Sequence, residues 1–364
     1  RTNADPVGDG SKKQTRATSD RQTLLSLLAF GLVLRLCTVP ILGIHHPDEL
    51  WQYLEPAHKL VFGEWVRTWE FREGIRTWLI PVLIAPAMWL GDALSPSGLM
   101  HVYLPKALMA LLSLTIIWSS WQLGGRISRT HAFMAAFVAA IWAELVHFGA
   151  KTMSEPVSLA LVFPAAVLLT SERTGRRGMV IAGVLLGLAF AVRFQLAPAL
   201  AVLVLATLWK RWNAFVWVFA GGIVGLMIDG VVDLIVGAVP FRWILENFRI
   251  NLIEGKSAEY GHAPVYAYPL MLLGFWSVPA AAILGLAVIG AKRFPVLMLV
   301  AIVNIAAHSV IPHKEYRFIL LSSALIIFLA AIGTADLLKS ARSHRRRWAA
   351  AACGAWLGAS VSVA

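Results

Sequence analysis

The chain is a near-unbroken succession of apolar runs, and no other feature narrows its fold so far. A helix that crosses a bilayer needs roughly 17–25 predominantly apolar residues. Stretches near that length stand at 22–44, 101–123, 131–149, 155–171, 178–194, 196–209, 213–238, 269–290, 294–311, 317–338 and 348–364. With 58% hydrophobic and 14% charged residues over 364 positions, the chain is more apolar than soluble domains, which run at roughly 45–50%. The expectation is an all-α polytopic membrane protein with about eleven transmembrane helices.

Charge then orients the spans. The net charge of +12 suits a nucleic-acid binder in magnitude only, because the basic residues sit in short clusters between apolar runs rather than on one face. Short cytoplasmic loops retain Lys and Arg. If the polar, basic segment 1–21 is a disordered cytoplasmic tail, then "GGRISRT", "SERTGRRG", "WKRW", "AKRF" and "KSARSHRRRW" all fall on the cytoplasmic side. The scheme requires the apolar stretch 77–91 not to cross by itself, so it is read as a re-entrant or surface-lying segment buried against protein. Cys37 and Cys353 lie inside apolar runs, far apart in sequence, and read as packing residues.

The other side collects the unusual polar residues. A long first non-cytoplasmic loop carries "HHPDELWQYLEPAHKL", in which Pro47 suits a helix start and Asp48, Glu49, Gln52, Glu55 and His58 follow at spacings that let several share a side. A partly buried carboxylate near the mouth of a helical bundle suits a general base. Asp48 is the first choice and Glu49 the second. Two other readings stand beside it: an interfacial helix capped by its acids, and a metal site built from His45, His46, Asp48 and His58.

Further along the same face, "TWEFREGIRTW" mixes Trp69, Phe71 and Trp78 with Glu70, Arg72, Glu73 and Arg76, suited to sugar recognition or to an aromatic belt. In "PHKEYRF", Lys314 and Arg317 could grip a phosphate whose lipid tail lies in the bilayer, or could form a snorkelling turn. Arg193 and Lys106 stand alone in apolar surroundings, where an ionisable residue is costly. The loop 239–268 is rich in hydrogen-bonding groups, Tyr260 among them.

Taken in order, "HHPDELWQYLEPAHKLVFG", "TWEFREGIRTW", "YLPKALMALLS", "MSEP", "NLIEGKSAEYG" and "PHKEYRF" resemble the motif series of glycosyltransferase family 22, over about residues 23–340. That family comprises polyprenyl-phosphate-mannose-dependent mannosyltransferases. The resemblance implies a GT-C helical bundle with its active site on the lumenal or periplasmic face, near the first long loop. It implies inverting transfer of mannose from a lipid-phosphate donor to a hydroxyl of a lipid-linked or other glycan acceptor, with an acid of the first loop as base. Asp48 matches that position, with Glu49 beside it. Two departures stand out: Tyr316 occupies a place where the family commonly has an acid, and the compact loops look more bacterial than eukaryotic.

The reading assigns Asp48 and Glu49 to catalysis, and Arg193, Lys314, Arg317 and His313 to the donor phosphate. His46, Trp51, Glu70, Arg76, Glu155 and Tyr260 are assigned to sugar or acceptor. No cofactor and no metal are expected, because cationic side chains can stabilise a lipid phosphate. Residues 22–364 are expected to form one catalytic membrane domain, allowing for a C-terminal portion beyond "CGAWLGASVSVA". Its partners would be the lipid-linked donor, the acceptor and membrane lipids, without nucleic acid. A bacterial inner membrane is preferred to the endoplasmic reticulum. The rival readings are a transporter or flippase of a lipid-linked substrate, and a GT-C transferase of another sugar.

Overall fold

A computed structural model describes residues 7–41, 46–96, 98–340 and 345–364. Among them there is no strand. A segment in lipid must satisfy its backbone internally, and helices do so without a partner. The helices are α1 (Val7–Thr38), α2 (Glu55–Phe62), α3 (Trp69–Glu73), α4 (Leu79–Leu94), α5 (Met100–Gly125), α6 (Arg129–Ile141), α7 (Ala143–Gly149), α8 (Ser154–Leu169) and α9 (Arg176–Val192). They continue with α10 (Ala197–Leu208), α11 (Trp212–Ile235), α12 (Arg242–Phe248), α13 (Ala267–Trp276), α14 (Ala280–Ala291), α15 (Pro295–Ser309), α16 (Leu320–Ser340) and α17 (Arg345–Val363).

Helices occupy all eleven expected segments, but several are shorter than a span. Four described stretches, Thr18–Thr38, Met100–Gly125, Trp212–Ile235 and Tyr316–Ser340, are long and apolar enough to cross a membrane, and up to six if two bent pairs each count as one span. The difference lies in breaks that periodicity does not reveal. Trp142, with ψ of 123°, bends α6 against α7 by 58°, and Ser277 at φ 49° stands where α13 turns by 110° into α14. Residues 77–91, expected to be a re-entrant or surface-lying segment buried against protein, fall mostly within α4, which packs on α2 and α5.

Helix α16 lies at the centre, with 94% of its apolar window buried, which fits a helix that is hydrophobic all round. Close backbone approach fixes two of the main pairings. A side chain at Gly183 of α9 would place its Cβ 2.1 Å from the Val218 carbonyl of α11. One at Gly290 of α14 would fall 1.9 Å from the Leu329 carbonyl of α16. Such small-residue contacts drive helix association where lipid tails are as apolar as Leu.

Two buried charges hold the bends. Arg35 of α1 is fully buried and donates to the carbonyls of Gly31, Ala139 and Ala140 at 2.9, 3.0 and 3.2 Å. The last two belong to the end of α6, whose carbonyls the break leaves without helical partners. Glu144 of α7 accepts from the indole N–H groups of Trp142 (3.1 Å) and Trp276 (2.9 Å) and from the hydroxyls of Tyr316 and Ser323. One carboxylate thus ties both bends to the residue preceding Arg317.

Candidate active site

The chain folds Asp48 into place through the turn that follows the undescribed residues 42–45, where His45 lies. Pro47 and Asp48 open a helical turn that runs as π-helix over Glu49–Leu54 before regular α2 begins. Single π turns commonly mark functional sites, because the extra residue re-aims neighbouring side chains. Here it turns adjacent acids to different surroundings.

Asp48 Oδ2 meets Arg317 Nη2 at 2.5 Å, 269 residues away in sequence. Arg317 Nη1 lies 3.3 Å from Glu155 Oε1, and its Nε donates to Glu315 Oε2 at 2.5 Å. The same Glu155 oxygen accepts from Arg193 Nη1 at 2.8 Å. Glu155 sits in the first turn of α8, where the helix dipole favours a carboxylate, while Arg193 ends α9 in a non-helical conformation that turns its side chain inward. Both guanidinium groups lie over the Phe318 ring, at 4.9 and 5.1 Å.

Two histidines complete the cluster. The Asp48 amide donates to His46 Nδ1 at 3.2 Å, so the opposite nitrogen faces Glu315 Oε2 at 3.3 Å. His313 Nε2 lies 2.7 Å from Glu315 Oε1, and its ring packs against Tyr260 at 5.9 Å. Burial alone would raise Glu315, but the Arg317 contact, with His313 and His46 beside it, outweighs burial and holds the carboxyl below its ordinary value. Accessibility separates the acids: the Asp48 side chain is 21% exposed and Glu155 2%. Glu315 is as open, at 22%, but both of its oxygens are taken, Oε1 by His313 and Oε2 by Arg317 and His46, whereas Asp48 meets Arg317 and His46 through Oδ2.

Several predicted residues stand elsewhere. Glu49, paired with Asp48 in the sequence reading, is fully buried on the opposite side of the turn, 3.5 Å from Lys106 Nζ and 3.6 Å from Lys151 Nζ. A carboxylate enclosed by two ammonium groups and accepting the Thr152 amide at 3.4 Å anchors the loop to α5 and to the residues before α8. Burial pushes the Lys151 ammonium below its ordinary value, with Glu49 opposing the shift. Lys314, assigned to the donor phosphate, spends two of its donors on the carbonyls of Ile311 (2.6 Å) and Ala263 (3.0 Å). It straps the loop before α13 to the "PHKEYRF" segment.

Glu70 accepts from Gln52 Nε2 at 3.1 Å, Trp51 is half-buried on the π turn, and Arg76 lines a neighbouring cavity. His58 contacts the Glu64 carbonyl at 2.8 Å, away from the cluster. Among the described residues no group of three His, Cys, Asp or Glu side chains is arranged to hold a metal ion.

The sequence reading passed over Glu315, the acceptor that joins Arg317, His313 and His46. Its signal was present, since a carboxylate between Lys314 and Arg317 is built to choose one of them. Phe318 under the guanidinium pair carried no signal, because it reads as the first residue of an apolar run.

The arrangement sets a partly exposed carboxylate, Asp48, beside a pair of guanidinium groups joined through Glu155. Residues 26–364 match the Alg9-like mannosyltransferase family. GPI mannosyltransferase 3 of Yarrowia lipolytica is 28% identical over 304 residues, covering 75% of this chain and 55% of that protein. Human GPI alpha-1,2-mannosyltransferase 3 is 23% identical over 323 residues, covering 80% of this chain and 54% of that protein. The chain thus spans about half the length of these relatives. In fold it resembles ArnT from Cupriavidus metallidurans in the crystal structure bound to undecaprenyl phosphate. The TM-score is 0.61 at 15% identity, over 85% of this chain and 59% of that one. The helical membrane architecture is the GT-C fold, and by its match over residues 26–364 the chain belongs to the Alg9-like mannosyltransferase family.

Proposed function

We propose that this chain transfers mannose, with inversion, from a polyprenyl-phosphate donor to a hydroxyl of a lipid-linked glycan acceptor. The observation that carries the reading is the Asp48–Arg317–Glu155–Arg193 chain of contacts, which joins the first loop, α8, the end of α9 and the segment before α16. Family membership supports the sugar and the donor class. The charge bias of the loops and their compactness support placing the site on the non-cytoplasmic face of a bacterial inner membrane, with the tail 1–21 opposite.

In this mechanism Asp48 Oδ2 accepts the proton of the acceptor hydroxyl as its oxygen attacks the anomeric carbon. The bond from that carbon to the lipid-phosphate oxygen breaks, and its electron pair leaves on the phosphate. Arg193 and Arg317 stabilise the charge that develops there. Arg193 Nε is buried without a hydrogen-bond partner in the structure, so it has a donor to give. The arriving phosphate competes with Asp48 for Arg317 and frees the carboxylate oxygen for the hydroxyl. His313 holds Glu315, which in turn holds Arg317.

The test is transfer of radiolabelled mannose from a short-chain polyprenyl-phosphate mannose into lipid extract by the purified protein. Asp48→Asn should lower the rate by about 10²–10⁴-fold, the range for loss of a general base, and EDTA should leave wild-type transfer intact. Full transfer by the variant would remove Asp48 from this role, and loss on chelation would place a metal in the mechanism.

A further inference from the structure

A cavity of about 460 Å³ opens between the first loop and the start of α12. Lys59, Arg67, Arg72, Arg76 and Arg242 line it, with Asp233 as the only carboxylate among the described lining residues. Asp233 does not neutralise them. Its Oδ2 accepts the Phe241 amide at 3.3 Å, and it forms no ion pair with the five cations. Lys59 Nζ rests over the rings of Trp65 and Trp78, at 5.2 and 5.1 Å. Arg67 donates to the Phe71 carbonyl at 3.1 Å, and Arg242 has a loose contact to Glu246 at 3.6 Å. Among the described residues Arg72 has no ion-pair partner, and Arg76 Nε is buried without a hydrogen-bond partner. Like charges gathered this closely repel, and a buried guanidinium donor left unmet is costly.

The backbone is shaped to produce this gathering. Gly74 has φ +73°, and a Cβ there would lie 3.3 Å from Arg242 Nε, so a glycine lets that guanidinium close over the cavity. Phe241 holds φ +60° and immediately precedes Arg242. Its ring covers Gly230, where a Cβ would fall 2.6 Å from it. A left-handed aromatic costs free energy and persists only where surrounding packing enforces it, a pattern associated with binding sites.

The first loop links the cavity to the Asp48 cluster: Gln52, on the π turn that Asp48 opens, donates to Glu70 of α3 at 3.1 Å, and Phe71 and Arg72 of that helix line the cavity. Burial raises the Tyr53 hydroxyl above its ordinary value; Arg76 lowers it from one side, while Glu155 and Asp48 raise it from the other. The Tyr260 ring packs against His313 of that cluster at 5.9 Å. The reaction needs a second lipid-linked substrate, and the phosphate of the first is already served by Arg193 and Arg317.

We propose that this cavity binds a phosphate-class anion carried by the lipid-linked acceptor, holding that acceptor beside Asp48. Arginine forks match phosphate oxygens bidentately, and Lys59 adds a point charge. The assignment to the acceptor rests on the glycosyl-transfer reading; the anion site itself does not.

The experiment uses the full chain in phosphatidylcholine nanodiscs with three probes: dioctanoyl phosphatidic acid, dioctanoylglycerol and inorganic phosphate. Phosphatidic acid should bind wild type and weaken about tenfold or more in Arg72→Gln/Arg242→Gln, the scale of one charge-assisted contact. Both side chains are exposed, so the fold should survive, and Arg72→Lys/Arg242→Lys, which keeps the charge but loses the fork, should recover only part of the affinity. Equal binding of dioctanoylglycerol, or unchanged binding by the glutamine variant, would overturn the site. Inorganic phosphate binding as tightly as the lipid would overturn the lipid-borne source.

Asp48→Asn separates the two readings. Retained phosphatidic acid binding with normal mannose transfer in that variant would sink the base assignment and leave the cavity standing. Lost transfer in Asp48→Asn, with phosphatidic acid affinity and acceptor KM both unmoved in the glutamine variant, would do the reverse.

Discussion

Asp48 and Glu49 are neighbours in the chain and occupy opposite kinds of site. Asp48 faces a cluster in which Arg317 answers it at 2.5 Å while a fifth of its side chain stays open. Glu49 is closed off between Lys106 and Lys151, with nothing of it exposed. The π turn that begins at Glu49 separates them, and the separation divides labour: one carboxylate is left able to exchange its partner for a substrate, while the other locks the first loop onto α5 and the residues before α8. An ion pair with access can serve chemistry, whereas one without access serves position.

The largest effect should come from breaking the two acids separately. Asp48→Asn should cost about 10²–10⁴-fold in kcat with the melting temperature nearly unchanged. Glu49→Gln should do the opposite, leaving Lys106 and Lys151 without the carboxylate between them and destabilising the protein by about 3 kcal/mol. Thermal unfolding in detergent, read alongside kcat of the folded fraction, distinguishes the two. A catalytic defect in Glu49→Gln without loss of stability would erase the contrast.

The next test sharpens the open side. Arg317→Met removes the cation shared by Asp48, Glu155 and Glu315, and Glu155 is 2% exposed. Removing one partner of a buried pair typically costs about 3–5 kcal/mol. Arg193 still meets Glu155 at 2.8 Å, so the loss should fall at the lower end and be larger than that of Arg193→Met. A double variant that loses more than the two singles added together would show that each guanidinium compensates Glu155 when the other is gone.

Much of this arrangement was legible beforehand because the chemistry is expensive in lipid. Arg193, Glu155, Asp48 and Arg317 stood out as charges beside apolar runs, and charge bias placed them all on one face. Their meeting in one cluster follows from that topology. The spans themselves were legible as apolar segments but not as lengths, since Trp142 bends α6 into α7 without any Pro or Gly at the break, and at the second break Pro279 only follows the turn already made at Ser277. Arg35 and Glu144, which stabilise those bends, carry the same signal as Arg193, a lone charge in an apolar stretch, but their role was not legible because their partners are carbonyls, indoles and hydroxyls brought together only by the fold. The basic cavity was hidden for a related reason. Lys59, Arg67, Arg72 and Arg76 come from the first loop, but Arg242 arrives from α12, and spacing along the chain cannot show that Gly74 makes room for it.

Acidity tests the cluster more gently. Glu315 has its folded-state value below the ordinary 4.5. A depressed carboxyl contributes stability that is present above the unfolded value and is lost as pH falls through the folded one. The melting temperature should therefore hold at neutral pH and decline as pH drops below about 4.5. Glu315→Gln should flatten part of that decline while lowering stability at pH 7. An unaltered acid limb in the variant would mean that Arg317 does not hold Glu315 ionised.

The smallest effect is expected at Lys314, and it bears on the same contrast. In sequence Lys314 and Arg317 look equivalent, two cations three residues apart at the membrane boundary. In the structure Arg317 faces three carboxylates, while Lys314 gives two hydrogen bonds to carbonyls and none to an acid. Lys314→Met keeps the aliphatic stem and removes those two bonds, which at roughly 0.5–1.5 kcal/mol each net amounts to a modest loss of stability. Because the ammonium is turned toward the backbone, mannose transfer at saturating donor should stay within about threefold of wild type, far from the base-loss range. A fall of a hundredfold with a raised donor KM would show that Lys314 leaves the carbonyls when donor binds, and would return it to the phosphate.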